Sequence, residues 1–163
     1  MRKELAQQLL RELLKNSKRS DRVLAGVLGV SQPTITRTRH KLERQGVIRE
    51  YTIFPDFAKM GFEVLAVTFV KMRPEILLEE TKDRVRKYAA KFPNVIFAYG
   101  GKGMGMTGAI ISFHSNYTDY QKQLNRLRFD LKDITEHIET FIVAIGEGAY
   151  KRFSLSYLSD LPL

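Results

Sequence analysis

The stretch Leu28-Gly-Val-Ser-Gln-Pro-Thr-Ile-Thr-Arg-Thr-Arg-His-Lys-Leu42 decides how the first third of the chain folds. Gly29 suits the end of one helix, because a left-handed residue costs least as glycine. Ser31 can cap the next helix by accepting a backbone N–H bond. Pro33, in the first turn, loses nothing by lacking an N–H. Ile35, Thr38 and Leu42 recur at spacings of three and four and therefore face inward. Thr34, Thr36, Arg37, His40, Lys41 and Arg44 are left mainly on the outer face. That hydroxyl-rich, cationic surface suits a DNA major groove, and the stretch reads as the turn and second helix of a helix-turn-helix.

Working outward, residues 2–16 read as a helix, with Leu5, Leu9 and Leu13 recurring every four positions beside Ala6, Leu10 and Leu14. Ser20 caps a short second helix, and Asp21 lies in its first turn, where the helix dipole favours negative charge. Val23, Leu24, Val27 and Leu28 supply its apolar face. Downstream, Gly46 stops the third helix. Val47 to Phe54 alternates with a period near two and is rich in β-branched and aromatic residues, the pattern of a strand. Pro55-Asp56 then turns the chain, and residues 58–61 form a short link. A helix-turn-helix followed by a departing strand is a winged-type DNA reader.

Composition narrows the classes. The chain has 163 residues, room for one domain or two small ones, and an apolar fraction of 44%, ordinary for a folded protein. No run approaches the ~20 apolar residues of a membrane span. Leu9-Leu10 is followed at once by Arg11 and Glu12, unlike a signal peptide. Cysteine is absent, which removes disulfides and thiolate metal sites, and three histidines leave little for a zinc site. A cytoplasmic protein is expected, with no metal and no cofactor. Of the net charge of +9, residues 1–60 carry +7 (13 Lys and Arg against 6 Asp and Glu) and residues 61–163 carry +2 (14 against 12). The excess lies with the cationic helix, as attraction to nucleic acid requires.

The remainder alternates strands and helices. Strands are expected at 64–70, 95–99, 107–114 and 137–145. A helix is expected over 75–91, with Leu78, Thr81, Val85, Tyr88, Ala89 and Phe92 on one side. A second is marked by Tyr117, Tyr120, Leu124, Leu127 and Leu131. The order β-α-β-β-α-β is the split unit of ferredoxin-like folds. Two helices cover one face of such a sheet, and the other normally turns polar. Here Leu65, Val67 and Phe69 point one way and Val64, Ala66, Val70 and Met72 the other, while Ile138 and Ile142 oppose Phe141, Val143 and Ile145. Both faces are apolar, so a sheet-to-sheet homodimer is expected.

The segments Ser20 to Ala25, Leu28 to Arg37 and Leu42 to Ile48 together resemble the N-terminal domain of the leucine-responsive regulator/AsnC family, the feast/famine transcription regulators. Pro55-Asp56 through Met60-Gly61-Phe62 resembles that family's hinge. The resemblance implies a ligand-sensing domain after the DNA reader, and homodimers or higher even-numbered assemblies. The expected organisation is a DNA-binding domain over 1–50, a strand and hinge linker over 51–62, a ligand-binding and oligomerisation domain over 63–146, and a C-terminal tail over 147–163. Phe153, Leu155, Tyr157, Leu158 and Leu161 suggest that this tail packs. Arg39 stands where many relatives have isoleucine. At the edge of the core face it can lay its stem over apolar surface and pair with Glu43, or reach phosphate.

Residues 100–108 hold five glycines, and Gly103 to Gly108 spells G-x-G-x-x-G. A dinucleotide fingerprint needs a helix after it, whereas here a strand follows. A long, flexible hairpin connection is one reading. A small-ligand site at Gly101, Lys102, Gly103, Met104, Gly105, Met106 and Thr107 is another, because in relatives this hairpin contributes to effector binding. Those relatives usually carry an acid near the start of the third strand. Met106-Thr107-Gly108 has none, and Lys102 is the only charge, so an anionic or apolar effector is expected over a zwitterionic amino acid.

No catalytic motif is present: there is no H-E-x-x-H, no G-x-S-x-G and no cysteine nucleophile. His114 and His137 read as structural. Thr34, Thr36, Arg37 and His40 are the candidates for base-edge contact. Ser31, Gln32, Lys41 and Arg44 are the candidates for phosphate positioning, although Gln32 could read a base. The expected function is a homo-oligomeric, sequence-specific regulator that binds double-stranded DNA. The alternatives are an enzyme of the same architecture, resembling certain haem-precursor decarboxylases, and a ligand-sensing module that binds a protein partner.

Overall fold

The computed structural model describes residues 2–74, 79–146 and 148–161. The chain divides into two units. One holds the chain up to Phe54 and again from Tyr150, and the other spans Pro55–Ala149.

The first unit contains α1 (Arg2–Lys15), α2 (Asp21–Leu28) and α3 (Gln32–Arg44). Leu9, Leu13, Leu24, Ala25, Ile35 and Leu42 form its buried core, with Leu5, Ala6, Leu28, Val30 and Ile48 packed against it. Ser20 caps α2 by accepting from the Val23 N–H. Gly29 closes it in the left-handed region at φ 65°. Val23 and Val27, expected on the inner face, are instead 51% and 55% exposed. In an eight-residue helix the core needs only a narrow stripe, and Leu24 with Ala25 fills it.

The strand expected over 47–54 does not form, because residues 49–56 take no regular secondary structure and pair with no strand. Alternation makes a strand only where an edge is available to pair with, and the rest of this unit is helical. The tail packs only in part: Phe153, Leu155, Tyr157, Leu158 and Leu161, the side chains expected to bury it, all stay exposed. A 3₁₀ turn over Leu155–Asp160 packs on α1, and Phe153 stacks on Phe54 with ring centroids 5.0 Å apart.

The second unit contains β1 (Val64–Met72), α4 (Glu79–Ala89), β2 (Val95–Gly103), β3 (Met106–His114), α5 (Tyr117–Asp130) and β4 (Thr135–Ala144). The start expected for α4, including Leu78, lies outside the described residues. The strands lie in the order β2-β3-β1-β4, and every adjacent pair is antiparallel. This is the ferredoxin-like βαββαβ arrangement. One face of the sheet packs on the helices through Val64, Ala66, Tyr88, Tyr120, Leu124, Leu127, Leu131 and Ile134.

The opposite face follows from register. Val67 pairs with Ile111 and with Phe141, Leu65 with Phe113 and with Val143, and Phe97 with Ile111, so all point the same way. Phe57 and Phe62 cover Phe113 at one end. Elsewhere Phe97, Tyr99, Phe141 and Val143 remain exposed by 40%, 63%, 66% and 37%.

Candidate nucleic-acid interface

The third helix is built much as its residues dictate. Ser31 takes the extended N-cap conformation and Pro33 lies in the first turn. Ser31 does not cap with its side chain, however. Its hydroxyl bonds that of Thr34 at 2.8 Å, which leaves one of the two hydroxyl hydrogens free for another acceptor. Thr38 donates to the Thr34 carbonyl at 2.8 Å, a back-bond that lets a hydroxyl sit near the core. Ile35 is fully buried and Leu42 nearly so.

Arg37, His40, Lys41 and Arg44 are exposed and fall on one side of α3. Among the described residues none of these four side chains has a protein hydrogen-bond or ion-pair partner. Gln32 is exposed at the helix start. The helix therefore presents two guanidinium groups, an ammonium group and an imidazole to solvent without internal neutralisation. That is an electrostatic surface for phosphate and for the acceptor-rich edges of guanine.

Thr36 differs from its expected partners. Its hydroxyl donates to Asp21 Oδ2 at 2.6 Å and lies 3.2 Å from the Gln32 carbonyl, so its hydrogen is turned back into the protein. Arg39 does not pair with Glu43. It meets Asp21 through Nε at 2.8 Å and Nη2 at 2.7 Å, and its Nη1 donates to the Tyr51 hydroxyl at 3.3 Å. Tyr51 in turn donates to Glu43 Oε1 at 2.8 Å. Burial raises the Tyr51 phenol above its ordinary value; Arg39 opposes this and Glu43 reinforces it, so the phenol keeps the hydrogen it donates. The sequence reading missed Asp21 and Tyr51 as members of this network. Asp21 is fully explained by the helix dipole alone, and Tyr51 lies in an irregular segment with no periodic relation to α3.

The second candidate set lies on the β2–β3 hairpin. It is not a long, flexible connection. The strands run up to Gly103 and Met106, which pair across Met104 and Gly105. Those two residues have φ of 51° and 71°, the pattern of a two-residue type I′ turn. Lys102 and Met104 are exposed. The Thr107 hydroxyl is spent within the sheet, accepting from Met72 N–H at 2.8 Å and donating to the Val70 carbonyl. A strand, not a helix, follows the glycines, so G-x-G-x-x-G has no helix N-terminus to offer a phosphate.

The buried His114 lies elsewhere, against the helical layer. Its Nε2 bonds Ser112 Oγ at 2.8 Å, and Nδ1 lies 3.7 Å from Asp119 Oδ2, too far for a direct hydrogen bond. Burial lowers the imidazole's pKa, and Asp119 opposes that shift. His137, the other histidine read as structural, is exposed and lies 2.8 Å from Glu139. No group of three or more metal-ligating side chains occurs among the described residues, and no helix of the described chain is long and apolar enough to cross a membrane.

Residues 2–49 match the winged helix-turn-helix DNA-binding family, the class that the helical unit and its cationic face define. The curated relatives that the chain matches are named HTH-type transcriptional regulators, LrpC and LrpA among them. An uncharacterized HTH-type transcriptional regulator of Pyrococcus horikoshii is 36% identical over 66 residues, 40% of this chain and 44% of that protein. LrpC of Bacillus subtilis is 29% identical over 91 residues, 56% of this chain and 60% of LrpC. The chain thus spans about half the length of the curated relatives it matches.

Solved structures extend the likeness to both units. AsnC of Escherichia coli superposes with a TM-score of 0.73 at 20% identity, covering 93% of this chain and 97% of AsnC. A Neisseria meningitidis transcriptional regulator, solved as a complex with L-Met, superposes with a TM-score of 0.76 at 14% identity, covering 94% and 97%. At these identities the superpositions establish the fold: a winged helix-turn-helix unit followed by the four-stranded domain.

Proposed function

We propose that this chain is a sequence-specific, double-stranded-DNA-binding transcription regulator that acts as a homo-oligomer in the cytoplasm and is not an enzyme. The observation that carries this reading is the outward face of α3, where Arg37, His40, Lys41 and Arg44 stand exposed and unneutralised beside a well-packed core. Arg37 and His40, with Thr34, are the base-reading candidates. Lys41 and Arg44, with Ser31 and Gln32, position the helix on phosphate. The named relatives are regulators, which supports the same choice over an enzyme of this architecture. Titration of a labelled duplex at several salt concentrations tests it. Binding whose logarithm falls linearly with the logarithm of salt is expected, and an unaltered duplex mobility at all protein concentrations would refute it.

Dimerisation through the uncovered sheet face belongs to the same proposal, because isolated apolar sheet surface is costly in water and two recognition helices address two half-sites. An effector is proposed at the hairpin tip, Gly101 to Thr107. The exposed Lys102 and the lack of a carboxylate in that stretch support an anionic or apolar ligand. Calorimetry showing tight binding of a neutral zwitterionic amino acid there would contradict that preference.

A further inference from the structure

We infer that Arg39 is a positioning residue that sets the pose of the recognition helix, with Asp21 and Tyr51 as the two ends of its clamp. This rests on α3 being the DNA-reading element.

Arg39 lies at the rim of the core face, with only 14% of its side chain exposed, and Asp21 is similarly enclosed at 19%. Exposed ion pairs hold geometry poorly, whereas this pair is largely enclosed and screened less, with Nε and Nη2 converging on one oxygen, Asp21 Oδ1. The guanidinium uses three of its edges. Nε and Nη2 grip Asp21 in the first turn of α2, Nη2 also lies 3.5 Å from the Arg19 carbonyl, and Nη1 reaches Tyr51 beyond the end of α3. Its carbon Cζ lies 5.7 Å from the Tyr51 ring centre. Tyr51 passes its own hydrogen to Glu43, one turn further along α3. A lysine has no planar fork and cannot make this set of contacts.

Asp21 also holds Thr36 with its second oxygen. Thr36 and Arg39 are three residues apart on α3, so one carboxylate anchors two successive turns of the helix. Two anchors on one line fix the helix's rotation about its own axis. That rotation decides which edge Arg37 and His40 present outward, although neither touches the clamp. The clamp also keeps Arg39 inside, where its charge is answered by Asp21 and adds little indiscriminate attraction to phosphate. Arg39, Asp21 and Tyr51 thereby determine specificity without contacting a base.

The test compares the intact chain with Arg39→Leu, Asp21→Asn and Tyr51→Phe. It uses two probes, a duplex selected from genomic fragments by the intact chain and a scrambled duplex of equal length. The clamp predicts that Arg39→Leu lowers affinity for the selected duplex about tenfold, the cost of one mismatched pair, with scrambled-duplex affinity and the salt slope unchanged. Asp21→Asn is expected to lower the ratio between the duplexes while raising scrambled binding, because it releases the Arg39 charge. General destabilisation would instead weaken both duplexes together. A fall of both duplexes with a salt slope reduced by about one would make Arg39 a phosphate contact and overturn the proposal.

Native-state hydrogen exchange of the α3 amides gives an arm independent of DNA. Arg39→Leu and Tyr51→Phe are expected to be non-additive, with the double variant differing from the product of the single effects by about fivefold. Additivity would overturn the clamp. If the intact chain fails to distinguish the two duplexes, the DNA reading fails, and the exchange cycle still decides the clamp.

Discussion

Phe141 offers the sharpest test of assembly. It stands on the uncovered face of β4, paired with Val67 across the sheet and 66% exposed. A phenylalanine offers roughly 200 Å² of surface, so roughly 130 Å² is open to water, worth about 3 kcal/mol at ~25 cal/mol per Å² if a partner covers it. Alanine retains the Cβ, which leaves a loss of about 2 kcal/mol per copy. In a twofold dimer each copy contributes once, so Phe141→Ala costs about 4 kcal/mol and raises the dimer Kd by about 10³. Sedimentation velocity over a dilution series measures this directly. Phe129, 71% exposed on α5 in the helical layer, is the control: Phe129→Ala is expected to leave the association unchanged. A folded Phe141→Ala protein that dissociates at the concentration of the unaltered chain would refute the sheet-face interface. So would an unaltered chain that is a stable monomer.

Other outcomes follow from the same structure. Arg37→Ala is expected to weaken specific DNA binding by ~1–3 kcal/mol and to relax one base position, read by footprinting or competition against single-base variants. Leu24→Ala empties a fully buried site in the helical unit and is expected to cost ~2–5 kcal/mol, measured by exchange of the α3 amides. His114, held below its ordinary 6.5 by burial, makes the four-stranded unit pH-sensitive. The unfolded chain takes up that proton first, so stability is complete above the ordinary value. It falls as pH drops through that value, by at most ~1.4 kcal/mol per pH unit, until the folded protein protonates too. Denaturant titrations between pH 7.5 and 5 are expected to show this slope, flattened in His114→Gln.

Much of the fold is legible because local and periodic signals agree. Gly29, Ser20 and Pro33 occupy the positions their conformations favour, and the leucine spacing of α1 finds its core. The alternation in β1 anticipates the buried Val64, Ala66 and Val70 opposite the half-exposed Leu65, Val67 and Phe69. The failures have physical causes. Val47 to Phe54 has the composition of a strand but no edge to join. Val23 and Val27 continue an apolar pattern on a helix whose core stripe is already filled. Five glycines suggest slack, yet the strands pair again at Gly103 and Met106 after an irregularity between Gly100 and Gly103, and Met104 and Gly105 make the turn. The exposed cations of α3 follow from helical spacing. The diversion of Thr36 and Arg39 to Asp21 does not, because it joins residues 15 and 18 positions apart on different helices.

The central claim, that α3 reads DNA sequence, is tested most directly by selecting genomic fragments on the intact chain in parallel with Arg37→Ala. The account predicts enrichment of a motif with two related half-sites, their centres one or more helical turns apart, and loss or degeneracy of at least one base position with the variant. Fragments recovered without a shared motif, or the same motif recovered undiminished by Arg37→Ala, would contradict it.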